Sequence, residues 1–283
     1  MTPARRIWQR IETVHAVTYF AAESIEAARQ AGLRGFWMGY FGFRAAPLGA
    51  VEPGVVEATF ANFSPAMVRR AIPDAWHFAS PPDLVDARSA SAAAALRRLA
   101  PDVDDVALEV NDALEAAIAH APSIGRPLFA ANAQLARPDD PVRRLWQQCT
   151  TLREHRGDGH VAALASQGID GCEAHLLIAA EHGWAPGVFM DNRGWTDDEQ
   201  SAAVERLRER GLLDDGGLTG AGAAVRASVE QLTDELAFEP YERATFAVDR
   251  VTAAIDRVAS AVVADGTIPF PNPMGLPEPG DDG

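Results

Sequence analysis

Two short stretches hold the residue types that could do chemistry. Residues 154–160 read EHRGDGH, which places two histidines, an arginine and two acids within seven residues. Further upstream, His15, Tyr19 and Glu23 follow one another at intervals of four. At helical spacing they present an imidazole, a phenol and a carboxylate in a row, a set able to relay a proton or cradle a polar ligand. If the two stretches face each other, His15, Glu23, Asp158 and His160 form an acid–base or metal-binding quartet. Spacing alone does not make them a metal site. His155 and His160 are five apart rather than the i, i+4 of a helical zinc motif, and no HExxH or CxxC occurs. No metal site and no cofactor is therefore assigned.

The glycines at 157 and 159 favour a tight turn between two helices. In that reading Asp158 caps a helix starting near His160, and Arg156 pairs with a buried acid. His175, in GCEAHLLIAAEHG, sits on an apolar helix, where a histidine is more often a hydrogen-bonded core residue than a ligand. Cys172 lies three residues before it, but no oxyanion-hole signature accompanies the pair. Arg44 follows the aromatic run FWMGYFGF; it either pairs with Glu23 or a core acid, or clamps an anion bidentately. Trp37, Tyr40, Arg44, Tyr19, Arg156 and His175 are the candidate ligand-binding residues. A P-loop, a GxGxxG after a strand and a GxSxG elbow are all missing, so nucleotide-dependent chemistry has no support.

The elements that must position these groups read as helices. Ile7, Ile11, Val14, Val17, Ala21 and Ile25 share one face of a single helix over 4–31. The neighbouring stripe carries Trp8, Glu12, His15, Tyr19, Glu23 and Glu26. Residues 33–49 are apolar almost all round, with Gly35, Gly39 and Gly42 spaced for close approach of another helix. Ser64-Pro65 starts a short helix, and 79–88 is a Pro/Asp-rich connection. Helices follow over 88–100 and 105–120. The stretch 122–141, with four prolines, is the best domain boundary. A helix over 139–153 precedes EHRGDGH, and another covers 170–182. From Trp195 the signals sharpen: Thr196 with Glu199 forms a capping box, Gly211 ends the helix, and Leu213–Leu218 makes a very short hairpin-like turn. Thr219 caps a long helix to about Ala237, and a last helix covers 239–264. The end, GTIPFPNPMGLPEPGDDG, has five prolines and reads as extended or disordered, or else as a tail pinned by Phe270 and Met274.

Composition supports this class. The chain has 283 residues, 47% hydrophobic and 23% charged, enough for a full core without staples. Alanine is abundant and β-branched runs are few, which favours an all-α, mainly helical fold. The net charge is −15, and all 25 basic residues are arginine, a pattern of high-GC coding bias. Such acidity disfavours tight binding to DNA or to anionic membranes. The N-terminus has no apolar signal region and no long apolar run appears, so a cytoplasmic protein with no membrane partner is expected, its two cysteines free thiols.

Residues 195–237, WTDDEQSAAVERLRERGLLDDGGLTGAG and the helix after it, resemble the winged-helix domain of MarR-type regulators. The phrases VHAVTYFAAE, FRAAPLG and RGDGHVAAL make the whole chain resemble an actinobacterial helix-turn-helix family of about 280 residues. The first resemblance implies that 197–209 is a recognition helix, that the turn is the wing, and that the long helix helps build a homodimer. This sequence departs from that pattern in charge. The recognition-like helix and turn carry seven acids against three arginines, and a helix entering the major groove meets a dense phosphate field.

These readings give a helical domain over 1–125, a winged-helix-like domain with a very short wing over 126–265, and a Pro-rich tail over 266–283. A pocket between the halves, lined by 36–43 and the polar stripe, is the default ligand site. The leading function is a small-molecule-binding protein of the winged-helix regulator type, with DNA contact handicapped by charge. The rival is an enzyme of specialised metabolism using the His/Glu/Asp quartet.

Overall fold

The computed structural model describes residues 2–185, 190, 192–270, 272 and 274–276. Helix α1 spans Pro3–Phe20 and α2 Ala22–Gln30. The expected single helix over 4–31 is therefore two. Ala21, extended at φ −73° and ψ 140°, breaks it, and its side chain is buried. The break turns Glu23 and Ile25 away from the α1 stripe, and Ile25 ends up exposed. Helix α3 spans Gly35–Ala45 and runs into a 3-10 turn, Ala46–Leu48. Its small residues are used inside the chain: a Cβ on Gly39 would meet Ala28, and one on Gly42 would meet Leu33.

Three short helices follow, α4 (Pro53–Thr59), α5 (Pro65–Arg69) and α6 (Ala75–Phe78). Helix α7 spans Pro81–Leu99, so the expected connection over 79–88 is mostly helix. Its two prolines sit in the first turn, where their missing N–H groups cost nothing, and Ser80 accepts from Asp83 N–H at 3.3 Å. Helices α8 (Val103–His120) and α9 (Pro127–Ala133) lead to α10, Pro141–Ser166.

Helix α10 corrects the reading of EHRGDGH. Residues 154–160 are not a turn but lie inside one 26-residue helix, about 39 Å long. Neither Gly157 nor Gly159 has a positive φ. At Gly159 a Cβ would lie 3.6 Å from the Arg126 guanidinium and 3.7 Å from Leu236, so the glycine makes room for neighbours rather than bending the backbone. Helix propensity lost at glycine is recovered by burial on several sides.

Helix α11 spans Gly171–His182, with a capping box of Asp170 and Glu173 and left-handed Gly183 after its end. Helix α12 (Asp197–Glu209) carries the predicted Thr196/Glu199 capping box. Strands β1 (Leu213–Asp214) and β2 (Gly217–Leu218) pair antiparallel. Thr219 caps α13, Gly220–Arg243, accepting from Gly222 N–H at 3.0 Å. Helix α13 runs past the predicted end near Ala237 and through Pro240. Helix α14 is Val248–Asp265. The fold is all-α, with one two-stranded hairpin among the described residues.

One apolar core unites α1, α7, α8, α10 and α14 through Ile7, Ile11, Leu96, Val110, Trp146, Ile255 and Val258. It draws residues from both sides of 125, so the sequence boundary there cuts through a shared interior rather than between two cores. A second cluster gathers Phe41, Phe60, Phe63, Ile72 and Leu84 around α3. A third, with Ala163, Leu164, Leu177, Leu207, Leu212 and Val229, joins the end of α10 to α11, α12, the hairpin and α13. Past α14, Ile268 and Leu276 are buried, and Phe270 and Met274 pack on the first core. The described part of the tail is thus pinned rather than loose; residues 271, 273 and 277–283 lie outside the described residues.

Candidate functional site

The α1 stripe holds together over Trp8, Glu12, His15 and Tyr19, and it faces the middle of α10. His15 is 2% exposed. Its ring nitrogens are hydrogen-bonded to Thr150 Oγ1 and Tyr19 Oη, each at 2.9 Å, and its ring stacks on Trp146. Burial, reinforced by Arg153, holds the imidazole neutral well below its ordinary range. Burial pushes the Tyr19 phenol far up. The pair is thus a neutral imidazole beside a neutral phenol, suited to directional hydrogen bonding and not to general-base work near pH 7.

Glu154, 1% exposed, is the ionic centre beside them. Arg44 donates to it twice, from Nε and Nη2, at 2.9 Å each. Arg153 adds a third bond at 3.0 Å and also reaches Glu12 at 3.0 Å. Burial works to raise the Glu154 pKa, but Arg153 and Arg44 overcome it and hold the carboxyl below its usual range. Arg44 also donates to Tyr40 Oη at 3.0 Å and lies over the Phe60 ring. Its fork is therefore committed to a core acid, one of the two alternatives open from sequence.

An aromatic face borders this ionic centre. Tyr40 lies 4.8 Å from Tyr19 and 5.3 Å from Phe63, and Trp37 lies 5.7 Å from Tyr40, between ring centroids. Trp37 and Tyr40 are half-buried, and Phe36 beside them is 45% exposed. Below them, a cavity of about 10 Å³ is lined by His15, Thr18, Arg44, Arg88, Trp146 and Glu154, among others.

The remaining candidates lie elsewhere. Glu23 pairs with Arg98 on the outer side of α2 and takes no part in the His15 site. Asp158 accepts from Phe129 N–H at 2.8 Å and so caps α9 instead of its own helix. Burial raises its pKa to about 6. His160 sits ten residues beyond Thr150, about 15 Å along α10; it is hydrogen-bonded to Thr233 at 3.1 Å, and burial lowers its pKa to about 4. The quartet His15, Glu23, Asp158 and His160 therefore does not converge. Arg156 pairs with Asp234 at 2.8 Å, as expected of a partner for a buried acid. His175 is hydrogen-bonded to Asn62 O at 3.2 Å, and burial pushes the neighbouring Cys172 thiol up to about 12, the opposite of an activated nucleophile. Among the described residues no group of three His, Cys, Asp or Glu could hold a metal ion.

Glu154, Arg153 and Arg88 are central residues that were not candidates from sequence. Arg88 had a signal: it falls on the apolar stripe of α7 with Leu84, Ala92 and Ala95, where a guanidinium demands a buried partner.

The segment from α11 to α13 has its own electrostatics. On α12, Arg206 pairs with Asp170 and Glu173, Arg208 with Glu205 and Asp215, and Arg210 donates to the carbonyls of Gly168 and Gln167. Across residues 170–243, sixteen acids stand against six arginines, a charge of −10. No helix among the described residues is long and apolar enough to cross a membrane. A helix-turn-helix family matches residues 4–269 of the chain. No curated protein and no solved structure matches it.

Proposed function

The chain belongs to this helix-turn-helix family, and from that premise we propose a protein whose N-terminal helices bind a small molecule and pass that state to a MarR-like winged-helix unit. The supporting observation is α10. One continuous helix carries Thr150, Arg153 and Glu154 at the polar site and Ala163 and Leu164 in the apolar cluster shared with α11, α12 and α13. A ligand that shifts α10 at one end moves the other, because a helix transmits displacement along its axis with little compliance. Ion pairs brace the same route: Arg5 of α1 holds Glu230 and Asp234 of α13, and Arg156 of α10 shares Asp234.

The ligand face is the half-buried aromatic surface of Trp37 and Tyr40 beside the Arg44–Glu154 pair. Its chemistry suits a planar molecule bearing a hydrogen-bonding or anionic group. Any grip of this unit on DNA is handicapped by charge. The arginines of α12 are engaged on their own unit, the acids around them repel phosphate, and the two-residue strands leave no wing to reach a minor groove. The long helix that would help build a homodimer by MarR resemblance packs with one face on α10 and α8 of the same chain, and a homodimer would use its exposed face.

Hydrogen–deuterium exchange of the full chain, with and without a panel of aromatic carboxylates, tests this. The expected result is protection over 35–45 together with altered exchange over 197–218. Protection at α3 with no change at α12 would remove the coupling, and no response to any compound would remove the ligand site. Retention on duplex DNA that falls steeply with salt would restore the DNA-binding reading.

A further inference from the structure

Arg88 is 2% exposed and has no carboxylate partner among the described residues. Its Nη1 donates to Phe43 O at 2.9 Å, and its Nη2 donates to Asn132 Oδ1 at 2.8 Å and Gln147 Oε1 at 3.1 Å. All three acceptors are neutral. Its Nε is buried with no hydrogen-bond partner, and so is Thr18 Oγ1. Arg88 and Thr18 line the same cavity beneath His15.

Two orphan donors on one cavity require an acceptor, since a buried unpaired donor keeps its full desolvation cost. The charge balance says which kind. Arg44 and Arg153 take Glu154 and Glu12, whereas Arg88 has no carboxylate within ion-pair distance among the described residues. Glu154 lines the cavity too, but both its oxygens are already taken by Arg44 and Arg153. Burial, only partly opposed by Glu154, lowers the Arg88 pKa to about 10, as expected of a guanidinium lacking a counter-charge. The volume of about 10 Å³ holds one water-sized species. Anions the size of phosphate or an organic carboxylate exceed that volume. A water would satisfy the donors but leave the charge.

We infer that this cavity is a site for a single halide-sized monovalent anion, chloride or bromide, held by Arg88 Nε and the Thr18 hydroxyl. It adjoins the aromatic ligand face through Tyr19, Arg44 and Glu154, and its lining comes from α1, α3, α7 and α10.

The test uses the purified full chain. Melting is followed in sodium chloride, sodium bromide and sodium gluconate at equal ionic strength, so that general screening is the same in all three. A saturable rise of a few degrees in halide is expected at about a hundredfold excess over the dissociation constant. Thr18→Val should shift the halide midpoint upward several-fold, and Arg88→Met should abolish the halide dependence. Should Arg88→Met fail to fold, crystals grown in bromide decide alone, with an anomalous peak in the cavity expected. Identical melting in halide and gluconate, or no bromide peak in the cavity, would overturn the assignment in favour of a water.

Discussion

Replacing Glu154 by glutamine keeps the side-chain shape and removes the charge that three guanidinium N–H groups converge on. Arg153 retains Glu12, at 3.0 Å. Arg44, with a side chain 12% exposed, retains only the Tyr40 hydroxyl and the Phe60 face. Breaking a buried ion pair on one side costs about 3–5 kcal/mol, because the surviving charge stays buried. The glutamine oxygen still accepts one N–H, so the lower end applies: about 3 kcal/mol, or about 5 °C of melting temperature in a chain this long. Removing both partners should behave differently. In Arg44→Met/Glu154→Met no charge is stranded at this position, and apolar side chains of similar volume fill the space, so the double variant should lie within about 1 kcal/mol of the parent. Urea unfolding of the parent, Glu154→Gln, Arg44→Met, Glu154→Met and the double variant completes the cycle formed by the methionine variants, with Trp146 beside His15 as a fluorescent reporter. The reasoning fails if the two single effects simply add to within about 0.5 kcal/mol. It fails equally if Glu154→Gln costs less than about 1 kcal/mol, for the pair would then be behaving like a surface salt bridge.

Four further outcomes follow from the structure. Gly171 packs so closely on the 60–64 segment that a Cβ there would lie 1.8 Å from Ala61 O, so Gly171→Ala should cost about 3 kcal/mol or more. Gly54 of α4 has open space, so Gly54→Ala should instead stabilise by about 0.5–1 kcal/mol in the same melts. His155, His160 and His175 have pKa values lowered by burial to about 3, 4 and 3. Folded, they refuse protons that the unfolded chain accepts below pH 6.5, so stability should be intact above that pH and fall steeply towards pH 4; a flat denaturation midpoint over this window would contradict their burial. Asp158 has the opposite sign. Burial raises its pKa to about 6, so its protonated form stabilises the fold at low pH and that contribution is lost as pH rises through about 4 to 6. Asp158→Asn should therefore exceed the parent by about 1–3 kcal/mol at pH 8 and match it at pH 4, as urea titrations at the two pH values will show.

What the amino-acid sequence determined by itself is the set of features written within three or four residues of one another. The Thr196/Glu199 capping box, the turn at Gly211, the hairpin at 213–218 and the Thr219 cap are local hydrogen-bond patterns, and each stands where its residues lie. The all-α class and the polar stripe from Trp8 to Tyr19 follow likewise from helical periodicity. Tertiary packing decided the rest. Nothing local breaks the chain at Ala21, where no glycine or proline stands; the break suits helices that must cross a shared core. Conversely, Gly157, Gly159 and Pro240 carry local signals to stop a helix, yet packing on several sides outweighs their cost. The partners at the site belong to the same class. Arg44 and Glu154 are 110 residues apart, and His15 and Thr150 are 135 apart. Which acid neutralises which arginine is set by the fold bringing them within 3 Å, and no spacing along the chain encodes that meeting.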